Sequence, residues 1–109
     1  MFILILTYLE GLDKIDGLMS DHQQYLQRHY HDGTFLLSGR QIPRTGGVIL
    51  AIGDDLDTID KITQTDPFVL AGAARYDIIQ MTPTTATATA SVWLAAAGVQ
   101  GITTIPPVL

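Results

Sequence analysis

Cysteine is absent from these 109 residues. That excludes a disulfide framework, a thiol nucleophile and a thiolate metal site. Cations are scarce, six lysines and arginines against eleven acids, for a formal net charge of −5. Such a chain lacks the basic footprint that nucleic acid requires, and an acidic lipid surface would repel it. Charge of either sign is thin, 16 % of residues where about 25 % is usual. Hydrophobic residues make up 47 %. A surface so apolar on one small domain predicts that a face is covered by another copy of the chain. The apolar start, Met1 to Leu9, lacks a basic lead and a small-residue cleavage site and is too short to span a bilayer. The expectation is a cytoplasmic protein with neither nucleic-acid nor membrane partners.

Phe2 to Leu9 is a strand by its aliphatic and aromatic content. It barely alternates, which predicts burial on both sides. From Leu12 to Asp32, apolar residues at Leu12, Ile15, Leu18, Met19, Leu26 and Tyr30 fall three and four apart and mark one helical face. His22 occupies a position on that stripe. Thr34 to Gly39 and Val48 to Ile52 read as two strands joined by the turn-rich stretch Gln41 to Gly47. Asp54 or Asp55 caps a helix running to about Gln64, with Leu56, Ile59 and Ile62 on one side. Asp66-Pro67 opens a short helical turn that Gly72 ends. Arg75 to Met81 is a fourth strand.

The order is β-α-β-β-α-β, an α+β ferredoxin-like pattern: a four-stranded antiparallel sheet with both helices on one face. The open face, made by doubly apolar strands, predicts a homodimer closed through the sheet. Residues 1–83 form this domain. Residues 84–109 form a Thr/Ala-rich C-terminal extension, with a short helix over Ser91 to Ala97 and an apolar end from Gly101 that docks on a partner or on the sheet.

Chemistry centres on a histidine. His29 and His31 lie two apart, on different sides of a helix, and the usual metal-ligand spacings are missing, so no metal is expected. His22 alone reads first as a buried, hydrogen-bonded histidine. The topology, however, lets the turn at Asp66 approach the first helix. A carboxylate facing an imidazole fixes its tautomer, and such a pair in a cleft moves protons near neutral pH. Ser38 ends the second strand, and Arg40 and Arg44 lie in the following connection, placed to contact a small, partly apolar or anionic ligand. Gly46-Gly47 joins two strands and is no phosphate loop.

His22, Phe35-Leu36-Leu37-Ser38-Gly39, and Asp66-Pro67-Phe68 followed by Ala71-Gly72 together resemble the YciI-like proteins, in the dimeric α+β barrel group. The resemblance covers about residues 1 to 83. It implies a ferredoxin-like protomer, a dimer, and a His–Asp site at His22 and Asp66. Some members of that family remove chloride from chlorinated aromatic intermediates. Gly39-Arg40 departs from the Gly-Pro of many relatives, and the C-terminal extension has no clear counterpart. The expected function is cofactor-free general acid/base chemistry, an elimination such as dehydrochlorination or an isomerisation, on a small cyclic or aromatic compound. The alternative is a non-catalytic, metabolite-binding dimer.

Overall fold

A computed structural model describes residues 1–106 of the chain. Strand β1 (Phe2–Tyr8) leads to helix α1 (Leu12–His31), then to β2 (Phe35–Arg40) and β3 (Gly46–Ala51). Helix α2 (Leu56–Thr63), the single turn α3 (Pro67–Leu70) and β4 (Ala74–Gln80) complete the domain. The sheet order is β2-β3-β1-β4, every pair antiparallel. This is the α+β arrangement expected, with β1 in the middle.

Side chains alternate between the two faces of a strand, so Phe2, Leu4 and Leu6 of β1 point one way. They are fully or nearly fully buried, and pack with Ile15 and Tyr25 of α1, Ile59 of α2, Phe35, Ile49 and Phe68. Both helices therefore lie on one face. The opposite face carries Ile3, Ile5, Val48 and Leu50, all half-buried, with Leu37 and Ile79 exposed. The apolar stripe of α1 is rotated from the expected one. Tyr25 and His29 are buried, whereas Leu12 and Tyr30 at its ends are exposed. Tyrosine and histidine are amphipathic, and here their rings pack on Phe35.

Caps fall where the sequence placed them. The Asp55 carboxylate accepts the Asp57 N–H and starts α2. Gly72, with φ of 68°, ends the turn after Asp66 in the left-handed region that favours glycine.

The extension is ordered differently from expectation. Residues Thr85–Thr87 (β5) and Thr103–Ile105 (β6) pair in parallel around helix α4 (Ala88–Ala96). The helix starts three residues before Ser91 because the Thr87 hydroxyl accepts the Ala90 N–H and caps it. No residue of α4 is buried, and Trp93 is 66 % exposed. Trp93 and Leu94 line a groove of about 390 Å³ whose other wall includes Leu36, Leu37 and Leu50. Of the apolar end expected to dock, residues 107–109 lie outside the described residues. Among the described residues no helix is long and apolar enough to cross a membrane.

Candidate active site

Asp66 is the hub of a buried polar group. It sits at the N-cap of α3, between the end of α2 and a proline that fits the first helical position. Its Oδ1 accepts the backbone N–H of Phe68 at 2.9 Å. The same carboxylate meets the Nδ1 of His22 at 2.9 and 3.0 Å, one distance to each oxygen. Oδ2 also accepts the hydroxyl of Tyr76 at 2.6 Å. Asp66 itself is 0 % exposed. A carboxylate taken out of water is tolerated only when its lone pairs are this fully engaged.

His22 is brought to this acid by α1, which crosses the sheet beside α3. Its ring stacks on Phe68 with centroids 4.2 Å apart and planes within 17°. Tyr25 flanks it at 5.8 Å. Donation from Nδ1 to the acid assigns the tautomer by hydrogen bonding. The second ring nitrogen, Nε2, makes no hydrogen bond to the described residues, and His22 is part of a cavity wall.

That cavity has a volume of about 500 Å³, within the range of small-molecule sites. Apolar walls come from Leu6, Met19, Leu26 and Ile49, and polar groups from Gln23, Ser38, Arg40 and the pair Asp16 and Arg44. Four of the five site residues singled out in the sequence, His22, Ser38, Arg40 and Arg44, thus share one hollow, and the fifth, Asp66, lies behind His22. The Ser38 hydroxyl is engaged by the hydroxyl of Tyr30. Arg44 forms an ion pair with Asp16 of α1. Its hydrogen bond to the Asp16 carboxylate, partly offset by desolvation, pushes the guanidinium up from its ordinary value.

Three participants escaped the sequence reading. Tyr76 follows the period-two pattern of β4, inward with Ala74 and Ile78, and reads there as an ordinary strand tyrosine. Asp16 reads as one acid on a solvated helical face; its partner is 28 residues away. Tyr25 falls outside the stripe of aliphatic residues. Burial, above all, pushes the Tyr25 and Tyr76 phenols up from the ordinary tyrosine value, and the Asp66 charge adds to it. Both therefore stay neutral at physiological pH, and Tyr76 remains a proton donor to the carboxylate. The Tyr25 hydroxyl is buried beside Tyr76 without a hydrogen bond of good geometry.

The remaining histidine that is buried, His29, bonds Asp32 at 2.9 Å at the far end of α1 and does not line the cavity. Among the described residues no three His, Asp or Glu side chains gather in a way that would hold a metal ion.

No curated protein matches the chain. Among solved structures, the 5-chloro-2-hydroxyhydroquinone dehydrochlorinase TftG of Burkholderia phenoliruptrix, in complex with 2,5-dihydroxybenzoquinone, is similar with a TM-score of 0.63. The two chains share 17 % identity over 76 % of this chain and 95 % of the other. At that identity the likeness is one of fold. The model of the YCII-related domain matches residues 1–82. With three quarters of its length accounted for in this way, from β1 through β4, the chain belongs to the YCII-related domain family.

Proposed function

We propose that the protein is a cofactor-independent small-molecule enzyme in which His22 is the general acid/base and Asp66 its orienting partner. One observation carries this reading: an imidazole tethered through Nδ1 to a buried carboxylate faces a ligand-sized cavity with Nε2 unengaged. Neutral Nε2 can take a proton from a substrate C–H or O–H group. The Asp66 carboxylate then faces the imidazolium that forms, which is where charge develops. In a dehydrochlorination the electron pair of the broken C–H bond becomes a new double bond, and chloride leaves with the pair of its own bond. In an isomerisation the same proton returns at another carbon. Either step needs only one group that alternates between base and acid, worth roughly 10²- to 10⁴-fold in rate. Ser38, Arg40 and Arg44 on the cavity wall are read as the residues around the substrate. The fold likeness to a dehydrochlorinase is consistent with the elimination. A purely structural His–Asp pair would have no need of a cavity beside it.

The test is an assay of chlorinated hydroquinones and lactones with wild type and His22→Ala. A substrate should emerge whose turnover falls by roughly 10²-fold or more in the variant. Undiminished turnover in His22→Ala removes the histidine from the chemistry.

We also read the face formed by Ile3, Ile5, Val48 and Leu50 as the seat of a homodimer, because a sheet half so apolar is unstable in water alone. Sedimentation equilibrium should give twice the 11.8 kDa chain mass, and Ile5→Lys should return the monomer. A monomer in the wild type at micromolar concentration contradicts the pairing.

A further inference from the structure

The cavity contains two guanidinium groups and one carboxylate at its surface, and they are not equivalent. Arg44, from the loop after β2, is held by Asp16 across from α1. A guanidinium already engaged by a carboxylate offers an incoming anion little, since the anion must displace or sit beside a like charge. Arg40, the last residue of β2, has no ion pair and no side-chain hydrogen bond among the described residues. In a chain with only six lysines and arginines, it is the uncompensated cation of this hollow. The surface around it is apolar, through Leu6 and Ile49 on the same sheet and Met19 on α1. Gln23 adds a neutral amide. Asp16 sets a negative charge at the rim.

We infer that the cavity selects a ring compound carrying one negative charge, anchored by Arg40, and that the Arg44–Asp16 pair closes the rim against a second negative group. This deepens the proposed function, on which it rests, by naming the charge class of the substrate. It assigns the two arginines different roles: Arg40 binds, whereas Arg44 is committed to the protein. A dianion would meet Asp16 with only one free cation to offset two charges. A neutral ring would leave Arg40 unused.

Benzoate, benzamide and isophthalate supply a monoanion, a neutral molecule of the same shape, and a dianion. Binding to the full chain is followed by the backbone amide resonances of the cavity residues. Wild type should bind benzoate about tenfold more tightly than either of the others, the difference expected of one charge-assisted contact. Arg40→Gln should erase the preference over benzamide. Asp16→Asn, which releases Arg44, should tighten isophthalate by about tenfold. The inference is overturned if benzoate fails to bind, if isophthalate binds wild type as tightly as benzoate, if Arg40→Gln keeps the preference, or if Asp16→Asn leaves isophthalate binding where it was. His22→Ala separates the two readings. Loss of turnover with the benzoate preference kept supports both. Turnover kept alongside that preference overturns the proton-transfer role alone.

Discussion

Replacing Asp66 with alanine is expected to cost about 3–5 kcal/mol, the range for removing one partner of a buried charged pair. Three donors would be stranded by that single change: the His22 Nδ1–H, the Phe68 N–H and the Tyr76 hydroxyl. The cap of α3 would go as well, and with it the anchor of the segment that packs Phe68 into the core. Against total stabilities of about 5–15 kcal/mol, the variant should be largely unfolded under mild urea. The measurement is a urea titration in which the midpoint falls with little change in slope. Asp66→Asn separates the two jobs of this residue. Asparagine caps a helix nearly as well as aspartate, so the fold should survive better. Its amide cannot accept from all three donors, however, so the imidazole loses its fixed tautomer and turnover should fall as in His22→Ala. Equal stability of wild type and the alanine variant would contradict the central place given to this carboxylate.

Gly46→Ala is expected to be as damaging, for a steric reason. Gly46 opens β3 opposite Thr7 of β1. A Cβ built there would lie 1.7 Å from the Leu6 carbonyl oxygen and 2.8 Å from its carbon. Both are backbone atoms in the centre of the sheet, so no side chain can swing away to relieve the overlap. Core overpacking by side chains costs about 1–3 kcal/mol; forcing two paired strands apart should exceed that. Gly46 also lines the cavity, so a variant that still folds should show a displaced wall and weakened ligand binding. Gly17→Ala provides the contrast. Its site, in the second turn of α1, has nothing within 4 Å of an added Cβ, and alanine there should stabilise by about 1 kcal/mol. Urea midpoints moving in opposite directions for the two glycines would bear out the argument.

The same glycine shows where a sequence stops being readable. Gly46-Gly47 sits between two apolar strands and is depleted-strand, turn-forming chemistry by every local criterion. Only the close passage of β1 explains why it is strand, and that passage is a long-range fact. The order of elements was legible because each one has its own period and punctuation: the aliphatic stripe of α1, Asp55 before α2, and Asp66-Pro67 with Gly72 around α3. His22 and Asp66 were legible as a pair because a histidine on an apolar stripe and an acid at a proline turn are each locally odd, and the topology sets their helices side by side. Tyr76 was not, since a tyrosine in a strand is ordinary and its hydroxyl becomes meaningful only against Asp66. Arg44 and Asp16 were not separable from Arg40 by local pattern, because their pairing joins a loop to a helix 28 residues away. The start of α4 was misplaced because the Thr/Ala run carries no apolar period, and the capping hydroxyl of Thr87 is one of several equivalent threonines.

One oxygen of Asp66 both caps α3 and meets His22, and this has an evolutionary corollary. A lineage built on this arrangement can exchange the acid only for a side chain that still caps α3, as asparagine does, whatever becomes of its chemistry. Descendants that have lost every reaction are held to a capping residue there, so survival of the couple in a relative is weaker testimony to turnover than its cavity. Divergence of substrate should instead be written in the opposite wall, where Arg40 can change without disturbing the scaffold.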